Sequence, residues 1–397
     1  MERLFETFSR KIAATNTDFV RGMDSEIEWD ARLIGLRGAR GVGKTTLLLQ
    51  HIKNNLPMDG SVLYVSVDNI WFSEHKLYDL ADNFIKHGGN TLYLDEIHRY
   101  PDWSRELKNI YDDFPELKVV FTGSSLLEIL NARADLSRRA AVYDMQGLSF
   151  REYLNLYHGM NLPAVSLDDI LRSHVNMAAD IAARVKPLKY FDEYLRHGYY
   201  PYYLEQPSLY YSRMNEVVNF IIDVEIPHLR NIEVAGVTKM RQLLYVIAES
   251  APFTPNVSKL GERIGISRTS LLLYMKALEE SGLLIGLKKG AKGISSLQKP
   301  DKLYLDNPNL MYAIAPHEVN IGNARETFFA NQLKAAHHVN VSPVSDFLID
   351  NKYTFEIGGH AKGTRQIDGM DDAYIAADGI EVGYGRKIPL WLFGFLY

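Results

Sequence analysis

The sequence predicts an α/β protein in which a parallel sheet covered by helices is followed by a helical region and a second, smaller α/β domain. Three observations support this fold class. Short apolar strands alternate with helical stretches from about residue 31 to residue 150, which is typical of a parallel sheet. Helical patterns rich in tyrosine dominate residues 151–235. Strand patterns separated by glycines return in residues 316–397.

The length of the chain indicates several domains. With 397 residues the chain is too long for a single hydrophobic core. We expect four regions, which are a core of sheet and helices with a leading helix at 1–150, a helical subdomain at 151–235, a helix–turn–helix region at 236–315 and a small α/β domain at 316–397. The C-terminal aromatic tail, Pro389–Tyr397, is expected to pack as a final buried strand, and the alternative is a patch that binds a partner.

The composition is that of a globular protein without disulfides. Hydrophobic residues make up 46% of the chain and charged residues 23%, and the absence of cysteine excludes thiolate metal sites and fits a reducing cytoplasm. The start of the chain is charged, unlike a signal peptide, and the apolar run Ile388–Tyr397 is too short to span a bilayer. We therefore expect a cytoplasmic protein that does not contact membranes. The net charge of −5 means that any nucleic-acid contact needs a local basic patch.

Five strands are predicted in the first region. They are Leu33–Leu36, Val62–Val67, Leu92–Leu94, Val119–Thr122 and Ala141–Met145. Since helical stretches separate most of these apolar runs, they are expected to form one parallel sheet with helices on its faces.

A glycine-rich segment follows the first predicted strand. It consists of Gly38, Ala39, Arg40, Gly41, Val42, Gly43, Lys44 and Thr45, and Thr46 opens the helix after it. In the pattern G-x-x-x-x-G-K-[ST], glycines turn backbone N–H groups around a β-phosphate, and the helix N-terminus adds partial positive charge. Lys44 is expected to reach the β- and γ-phosphates, and the Thr45 hydroxyl to bind Mg²⁺. The alternative is a chance match in a turn, but the flanking strand and helix favour a site for a nucleoside triphosphate.

Two adjacent acids end the third predicted strand. Asp95 is expected to hold the water shell of Mg²⁺, and Glu96 to act as the general base or to position the attacking water. Strands that end in adjacent acids are common. The position of this pair about fifty residues after Lys44, with a strand between them, favours the catalytic interpretation.

The fourth predicted strand ends in Thr122-Gly123-Ser124-Ser125. A polar residue there can touch the γ-phosphate or the attacking water, so Ser124 is a candidate sensor of the nucleotide. The alternative is a turn that closes the strand.

Three arginines, Arg133, Arg138 and Arg139, follow on a predicted helix. Arginine can stabilise charge on a phosphoryl group in transfer without titrating, and Arg139 is the favoured candidate for such a finger. The alternative is a solvated basic face. A finger that acts on a neighbouring copy would imply a homo-oligomer.

With these motifs the chain resembles a family of AAA+-type ATPases that carry an N-terminal ATPase module, a winged helix and a restriction-endonuclease-like C-terminal domain. The resemblance rests on Gly38–Thr46, Leu94–His98 followed by Pro101–Trp103, Thr122–Ser125 and Leu148–Tyr153. Gly147 stands where proline is usual, and Ser137-Arg138-Arg139 stands where the family has a small residue, glycine and arginine. The resemblance implies a P-loop NTPase fold of the additional-strand type, with ATP as the nucleotide and Mg²⁺ as the metal.

The region 258–292 predicts a helix, a tight turn at Gly265 and a second helix, followed by a wing. It holds seven Lys or Arg residues against three Glu, a local charge of 7 − 3 = +4. The basic residues of the second helix and wing are Arg268, Lys276, Lys288, Lys289 and Lys292. They would let this winged helix bind double-stranded DNA, with the helix in the major groove. The alternative is a winged helix used for packing or for a protein partner.

The last region has acidic residues in the order used by PD-(D/E)XK nucleases. These are Glu326, Asp346 and Glu356. In those nucleases a lysine two residues after the last acid positions water beside a divalent metal, but Gly358 stands at that position here. His360 or Lys362 in the following loop are alternatives that the sequence does not decide between, and Gln366 resembles a glutamine of the next helix. An inactive domain used for contact is the favoured interpretation.

Three functions are compatible with these features. The first is a Mg²⁺-dependent ATPase in which nucleotide drives a switch of the C-terminal regions, with DNA as a candidate partner. The second is a metal-dependent nuclease gated by ATP. The third is a signalling or scaffolding switch of low turnover that binds a protein partner and no nucleic acid.

Overall fold

The computed structural model describes residues 1–124, 136, 138–230, 232–250, 252–289, 299–317 and 319–397. The predictions for Ser125, Arg133, Ser137 and Lys292 lie outside these described residues. The chain divides into two compact units, Met1–Gly147 and Leu148–Tyr397. Across the described ranges, none of the helices combines the length and the apolar character needed to cross a membrane.

The first unit alternates strands and helices. Its strands are β1 (Leu33–Arg37), β2 (Val62–Ser66), β3 (Thr91–Asp95), β4 (Lys118–Gly123) and β5 (Ala141–Asp144). Its described α-helices are α1 (Glu2–Ala14), α2 (Lys44–Asn55), α3 (Leu77–Lys86) and α4 (Trp103–Asp113). Short 3₁₀ helices cover Gly22–Ser25, Ile70–Ser73 and Ile97–Arg99.

The five strands form one sheet in the order β2-β3-β4-β1-β5, and every neighbouring pair is parallel. This confirms the predicted α/β class and each of the five strands. Because β4 lies between β1 and β3, the sheet has the additional strand that the resemblance implied. The carboxyl ends of all five strands lie at one edge, so the segments that follow β1, β3 and β4 are brought together there.

Buried apolar side chains hold this sheet between its helices. Ile34 and Leu36 of β1 are fully buried, as are Leu47 and Leu48 of α2. Gly35 of β1 leaves room for a neighbouring ring, because a Cβ at this position would come within 2.6 Å of Phe121 on β4. The backbone of β1 is therefore packed directly against an aromatic side chain of the adjacent strand.

The second unit begins with helices. They are α5 (Phe150–His158), α6 (Leu167–Ala182), α7 (Pro187–His197), α8 (Tyr210–Phe220), α9 (Ile226–Arg230) and α10 (Val234–Ser250), with a π-helical turn at Ile221–Glu225 between α8 and α9. Ser149 starts α5 with a capping box, since its side chain accepts from the N–H of Glu152 while the Glu152 side chain accepts from the N–H of Ser149.

A helix–turn–helix follows. Its helices are α11 (Val257–Ile264) and α12 (Arg268–Glu280), and Gly265 between them has φ 72°, a left-handed conformation that favours glycine. Ser267 caps α12 by accepting a hydrogen bond from the N–H of Ser270. The antiparallel strands β6 (Leu284–Leu287) and β7 (Lys302–Leu305) come next.

The last part of the unit contains two helices, a mixed sheet and a buried tail, and the second of these helices packs against the sheet and the tail. The helices are α13 (Pro308–Ile314) and α14 (Ile321–Leu333), and the strands are β8 (Val339–Val341), β9 (Phe347–Ile349), β10 (Tyr353–Gly358), β11 (Ala373–Ala377) and β12 (Lys387–Pro389). The sheet order is β12-β11-β10-β9-β8. β11 is parallel to both of its neighbours, β10 and β12, and β9 is antiparallel to both of its neighbours, β8 and β10. Leu390–Phe395 is buried as predicted, but it forms a 3₁₀ helix, so the expected final strand is wrong.

The tail is fastened to the start of α5. The main-chain oxygen of Tyr397 accepts hydrogen bonds from Ser149 Oγ at 2.7 Å and from Arg151 Nε at 2.9 Å. Ser149 and Arg151 are both buried. Ser149 therefore caps a helix and anchors the tail with the same hydroxyl.

Ser149→Ala is expected to lower the free energy of unfolding by about 2 kcal/mol, because it removes both the cap and the bond to Tyr397. Ser166→Ala is the matched control, since Ser166 caps α6 from an exposed position through Asp169 alone. We expect that control to cost about 1 kcal/mol or less. Urea unfolding of both variants measures the difference, and equal losses would contradict the double role of Ser149.

Candidate active site

The segment between β1 and α2 is a tight loop that depends on its glycines. Gly41 has φ 81° and Gly43 has φ 102°, conformations that other residues rarely adopt. A Cβ at Gly38 would lie 2.4 Å from the main-chain oxygen of Met145. The backbone is thus free to turn its N–H groups inward at the N-terminus of the 12-residue helix α2, an arrangement that attracts anions.

Lys44 lies against this loop. Its Nζ donates to the main-chain oxygens of Gly38 at 2.8 Å and Ala39 at 3.0 Å, and the side chain is buried. Arg40 and Val42 fill other positions of the loop, and Thr46 is exposed on α2. The ammonium group is therefore held inside the ring of the loop.

Arg21 supports the loop from outside, and no sequence signal identified it. Its guanidinium donates to the main-chain oxygens of Val42 at 2.8 Å, Gln146 at 3.0 Å and Gly147 at 2.9 Å. Arg21 is buried, and it contacts Val42 although the two residues are 21 positions apart in the sequence. The Arg21 side chain thus connects the glycine-rich loop between β1 and α2 to the segment that follows β5.

Asp95 ends β3 beside the loop and accepts hydrogen bonds from three hydroxyl groups. Thr45 Oγ1 donates to its Oδ2 at 2.7 Å, and Tyr64 OH donates to the same oxygen at 2.6 Å. Thr122 Oγ1 donates to Oδ1. Burial and the nearby Asp95 raise the pKa of Tyr64 well above its usual range, so its hydroxyl stays protonated and can donate. The pairing of Thr45 with Asp95 brings together the two predicted metal ligands.

Tyr64→Phe is expected to raise about tenfold the Mg²⁺ concentration at which nucleotide binding is half-maximal. The reason is that one of three donors to Asp95 is lost, and a hydrogen bond to a charged group contributes about 1.5 kcal/mol. Titration of Mg²⁺ at fixed nucleotide measures it. Tyr93→Phe is the control, because Tyr93 lies opposite Tyr64 in the register of β2 and β3 and, among the described contacts, makes no bond to Asp95. An unchanged Mg²⁺ titration in Tyr64→Phe would exclude this orienting role.

Glu96 follows Asp95 but faces a different environment. Its backbone has φ 56°, a left-handed conformation that is strained for residues other than glycine. Its N–H donates to Thr122 Oγ1 at 3.1 Å, and its carboxylate accepts from Ser124 Oγ at 3.1 Å. The Glu96 side chain is 26% exposed, whereas Asp95 is buried. The buried acid therefore suits a fixed ligand, and the more open acid suits contact with water.

His98 completes this group, and its role was not predicted. The ring lies 3.3 Å from Ser124 Oγ and 3.5 Å from Glu96 Oε2, both measured from Nε2. Burial, aided by the positive charges of Arg99, Arg40 and Lys44, lowers the pKa of His98 to about 3. The ring is thus neutral at pH 7 and does not form an ion pair with Glu96.

The buried, neutral His98 makes stability depend on pH. Its folded pKa lies below the ordinary value, so below about pH 6.5 the unfolded chain binds more protons and stability falls as the pH falls. We expect His98→Gln to lose less stability than the wild type between pH 7 and 5, with a slope that differs by at most about 1.4 kcal/mol per pH unit. Urea unfolding at several pH values tests this, and equal slopes would contradict the burial of a neutral ring.

Arg139 is not brought to this site within the chain. It makes a two-pronged ion pair with Asp112, Nε to Oδ1 at 2.9 Å and Nη2 to Oδ2 at 3.0 Å. It lies two residues before β5, and Asp112 lies near the end of α4, so both lie at the sheet edge where the strands begin. Arg139 therefore does not reach the loop of its own chain, which lies at the opposite edge, and a finger that acts on a neighbouring copy stays a prediction. The exposed Arg138 lies beside it.

The acidic residues of the second unit form a cluster with lysines. Ser345 Oγ donates to Glu356 at 2.5 Å, and Lys362 forms an ion pair with the same carboxylate. Lys302 Nζ lies 3.6 Å from both Glu326 and Asp346. Burial raises the pKa of Glu326 and of Asp346. Within the part of the chain that the structure describes, no three His, Cys, Asp or Glu side chains form a metal-binding group.

The sheet order, the loop and the paired acids define a P-loop ATPase-like protein. A family model described as an AAA domain matches residues 30–154, and a model of a domain of unknown function, DUF8612, matches residues 188–320. Uncharacterized protein MJ1637 of Methanocaldococcus jannaschii is 27% identical over 398 residues, which cover 92% of this chain and 84% of that protein.

Solved structures similar to this chain include a Walker-type ATPase and a protein in complex with DNA. The Walker-type ATPase PABY2304 of Pyrococcus abyssi has a TM-score of 0.42 and 13% identity, with 78% of this chain and 95% of that chain covered. The ORC1 protein of Aeropyrum pernix, solved in complex with DNA, has a TM-score of 0.30 and 15% identity, with 79% and 92% covered. The fold is defined by the order of the parallel sheet and by the loop between β1 and α2.

Proposed function

We propose that the protein is a Mg²⁺-dependent ATPase whose nucleotide state drives a switch in its C-terminal regions. The observation that carries the proposal is the 2.7 Å hydrogen bond from Thr45 to Asp95, with Glu96 held separately by Ser124. A P-loop by itself grips phosphates. The separate acid adds a group that can activate water, which is what turnover requires.

The oxygen atoms of Thr45 and Asp95 fit Mg²⁺. A hydroxyl and a carboxylate are hard ligands of the kind that this ion prefers, and they already lie together at the mouth of the loop. When bound, Mg²⁺ would neutralise charge on the β- and γ-phosphates. Tyr64 and Thr122 orient the Asp95 carboxylate toward that position from the strands on either side.

In the proposed reaction Lys44 and the loop N–H groups hold the phosphates. Glu96 takes a proton from a water molecule as the water oxygen bonds to the γ-phosphorus, and the bond from that phosphorus to the bridging oxygen breaks to leave ADP. Ser124 fixes the Glu96 carboxylate for this step. The test is phosphate release from ATP with Mg²⁺ and with EDTA. Release that persists in EDTA would overturn the metal-dependent proposal.

Binding of double-stranded DNA through residues 258–292 is a second, separate proposal. It is supported by the exposed Arg268 at the start of α12 and the exposed Lys276 on the same helix. Lys276 lies 3.6 Å from Glu280, which reduces its net contribution. Arg268→Ala is expected to weaken DNA binding severalfold and to reduce its salt dependence. Arg172→Ala, an exposed arginine on α6, is the control, and equal affinity of both variants would exclude this surface.

The nuclease alternative is supported by the ion pair of Lys362 with Glu356, because a lysine then lies beside the last acid although Gly358 stands at the usual lysine position. The pairing of Glu326 and Asp346 with Lys302 opposes it, because an ammonium group already lies beside both carboxylates, where a metal ion would have to bind. We therefore propose a contact role for this domain. DNA cleavage with Mn²⁺ that disappears in Glu356→Ala would replace that proposal with a nuclease.

We propose that any finger role of Arg139 is exercised on a second copy of the chain, because Arg139 lies at the sheet edge opposite the loop of its own chain. Its ion pair with Asp112 would then have to be exchanged for a phosphate. The mass of the protein measured with and without ATP tests this. A monomer under both conditions would exclude a finger acting between copies.

A further inference from the structure

A sharp turn of the main chain brings the side chain of His98 close to Glu96, the candidate base. Glu96 has a left-handed φ of 56°, and the 3₁₀ helix Ile97–Arg99 follows at once. Ile97 is fully buried and fixes this turn in the core. As a result the imidazole of His98 lies beside the carboxylate two residues before it.

The three side chains form a short chain of contacts. Ser124 Oγ lies 3.1 Å from Glu96 Oε2 and 3.3 Å from His98 Nε2. The direct distance from His98 Nε2 to Glu96 Oε2 is 3.5 Å, which is longer than either. Ser124 therefore stands between the ring and the carboxylate as the connecting group.

The number of protons fixes the direction of these hydrogen bonds. A carboxylate only accepts, so the single hydroxyl proton of Ser124 points to Glu96. The Ser124 oxygen can then accept a proton from His98 only if Nε2 carries one. A neutral ring protonated at Nε2 meets this condition, and its Nδ1 is buried with no hydrogen-bond partner among the described residues.

We propose that His98 is a positioning residue for the proposed ATPase reaction, in which its ring N–H fixes the Ser124 hydroxyl and Ser124 holds the Glu96 carboxylate in one orientation toward water. The inference rests on the proposed function and adds a residue to its site. His98 does not serve as the base itself. Its side chain is only 7% exposed, and its pKa of about 3 makes it a weak proton acceptor.

Packing alone does not account for the ring. A leucine would fill similar space at a position with a buried side chain, yet His98 brings a polar atom into contact with a hydroxyl that is itself bonded to the candidate base. Burying a polar ring costs free energy unless it forms hydrogen bonds. The bond to Ser124 is the compensation that the described contacts show.

The kinetic test compares His98→Leu, His98→Gln, Ser124→Ala and the double variant His98→Leu/Ser124→Ala. We expect His98→Leu to lower kcat about 10- to 100-fold with KM changed less than about twofold, because orientation of the base matters in the transition state. His98→Gln, whose amide can donate to Ser124, is expected to recover most of that loss. Since His98 acts through Ser124, the double variant should be no slower than Ser124→Ala.

A multiplicative loss in the double variant would overturn the inference, and so would equal kcat values for the Leu and Gln variants. Thermal unfolding of each variant separates a loss of fold from a loss of positioning. A wild type without turnover would overturn the proposed ATPase as a whole.

A spectroscopic measurement tests the contact without any turnover. In protein labelled with ¹⁵N-histidine, the His98 signal is identified by its absence from His98→Gln. We expect the Nε2–H tautomer at pH 7 and a clear change of the signal in Ser124→Ala. An Nδ1–H tautomer, or a signal that Ser124→Ala leaves unchanged, would overturn the path from His98 through Ser124 to Glu96.

Discussion

Lys44→Ala is expected to weaken ATP binding at least 100-fold, equivalent to about 2.7 kcal/mol. The ammonium group is held inside the loop by the main-chain oxygens of Gly38 and Ala39, where phosphate oxygens would meet it. Without it the loop keeps its N–H groups but loses the full positive charge of the site. Titration with a fluorescent ATP analogue measures the change.

Lys53→Ala is the matched control for this prediction. Lys53 lies at the other end of the same helix, α2, and its Nζ donates to the main-chain oxygen of Thr15. It is exposed and is expected to leave ATP affinity within about twofold of the wild type. Equal ATP affinity in Lys44→Ala and Lys53→Ala would contradict the assignment of the loop.

Glu96→Gln is expected to reduce ATP turnover about 10²- to 10⁴-fold while ATP still binds. Glutamine retains the shape and can still accept a hydrogen bond from Ser124, but it cannot take a proton from water. Asp95, Thr45 and Lys44 are unchanged, so the nucleotide should remain bound unhydrolysed. Steady-state phosphate release and ATP titration together measure the two effects.

The control for this second variant is Glu116→Gln, an exposed glutamate shortly before β4 at the edge where the strands begin. It is expected to retain full turnover, because it lies at the edge of the sheet opposite the loop. If Glu96→Gln turned over ATP as fast as Glu116→Gln, another group would have to activate the water.

The parallel sheet and the loop were predictable from the sequence because each depends on residues that are close together in the chain. Each strand, from β1 to β5, is a short apolar run, and the glycines at 41 and 43 are needed for left-handed backbone within the same eight-residue segment. The pairing of Thr45 with Asp95 followed from the general rule that parallel strands end at one edge.

The residues that orient those groups were not predictable in the same way. Tyr64 reaches Asp95 only because β2 lies next to β3, and the order of strands in a sheet is not encoded in any one of them. Arg21 reaches Val42 across 21 residues of irregular chain. His98 needs the left-handed turn at Glu96, a strained conformation that no local propensity favours.

The place of Arg139 and the form of the tail were also not predictable from local sequence. Arg139 is a candidate finger by residue type, and the direction of β5 carries it to the edge of the sheet opposite the loop of its own chain. The tail was expected to be a strand because it is apolar, but short apolar runs do not distinguish strand from helix. Leu390–Phe395 satisfies its burial as a 3₁₀ helix.

The most direct test of a hydrolytic site at Lys44, Asp95 and Glu96 is a single-turnover measurement. Wild-type protein and Glu96→Gln are each mixed in excess with ATP labelled on the γ-phosphate and Mg²⁺, and the bound nucleotide is quantified over time. The site described here predicts that the wild type converts its ATP to ADP and phosphate while Glu96→Gln keeps ATP intact. Intact ATP on both proteins, or equal conversion by both, would contradict it.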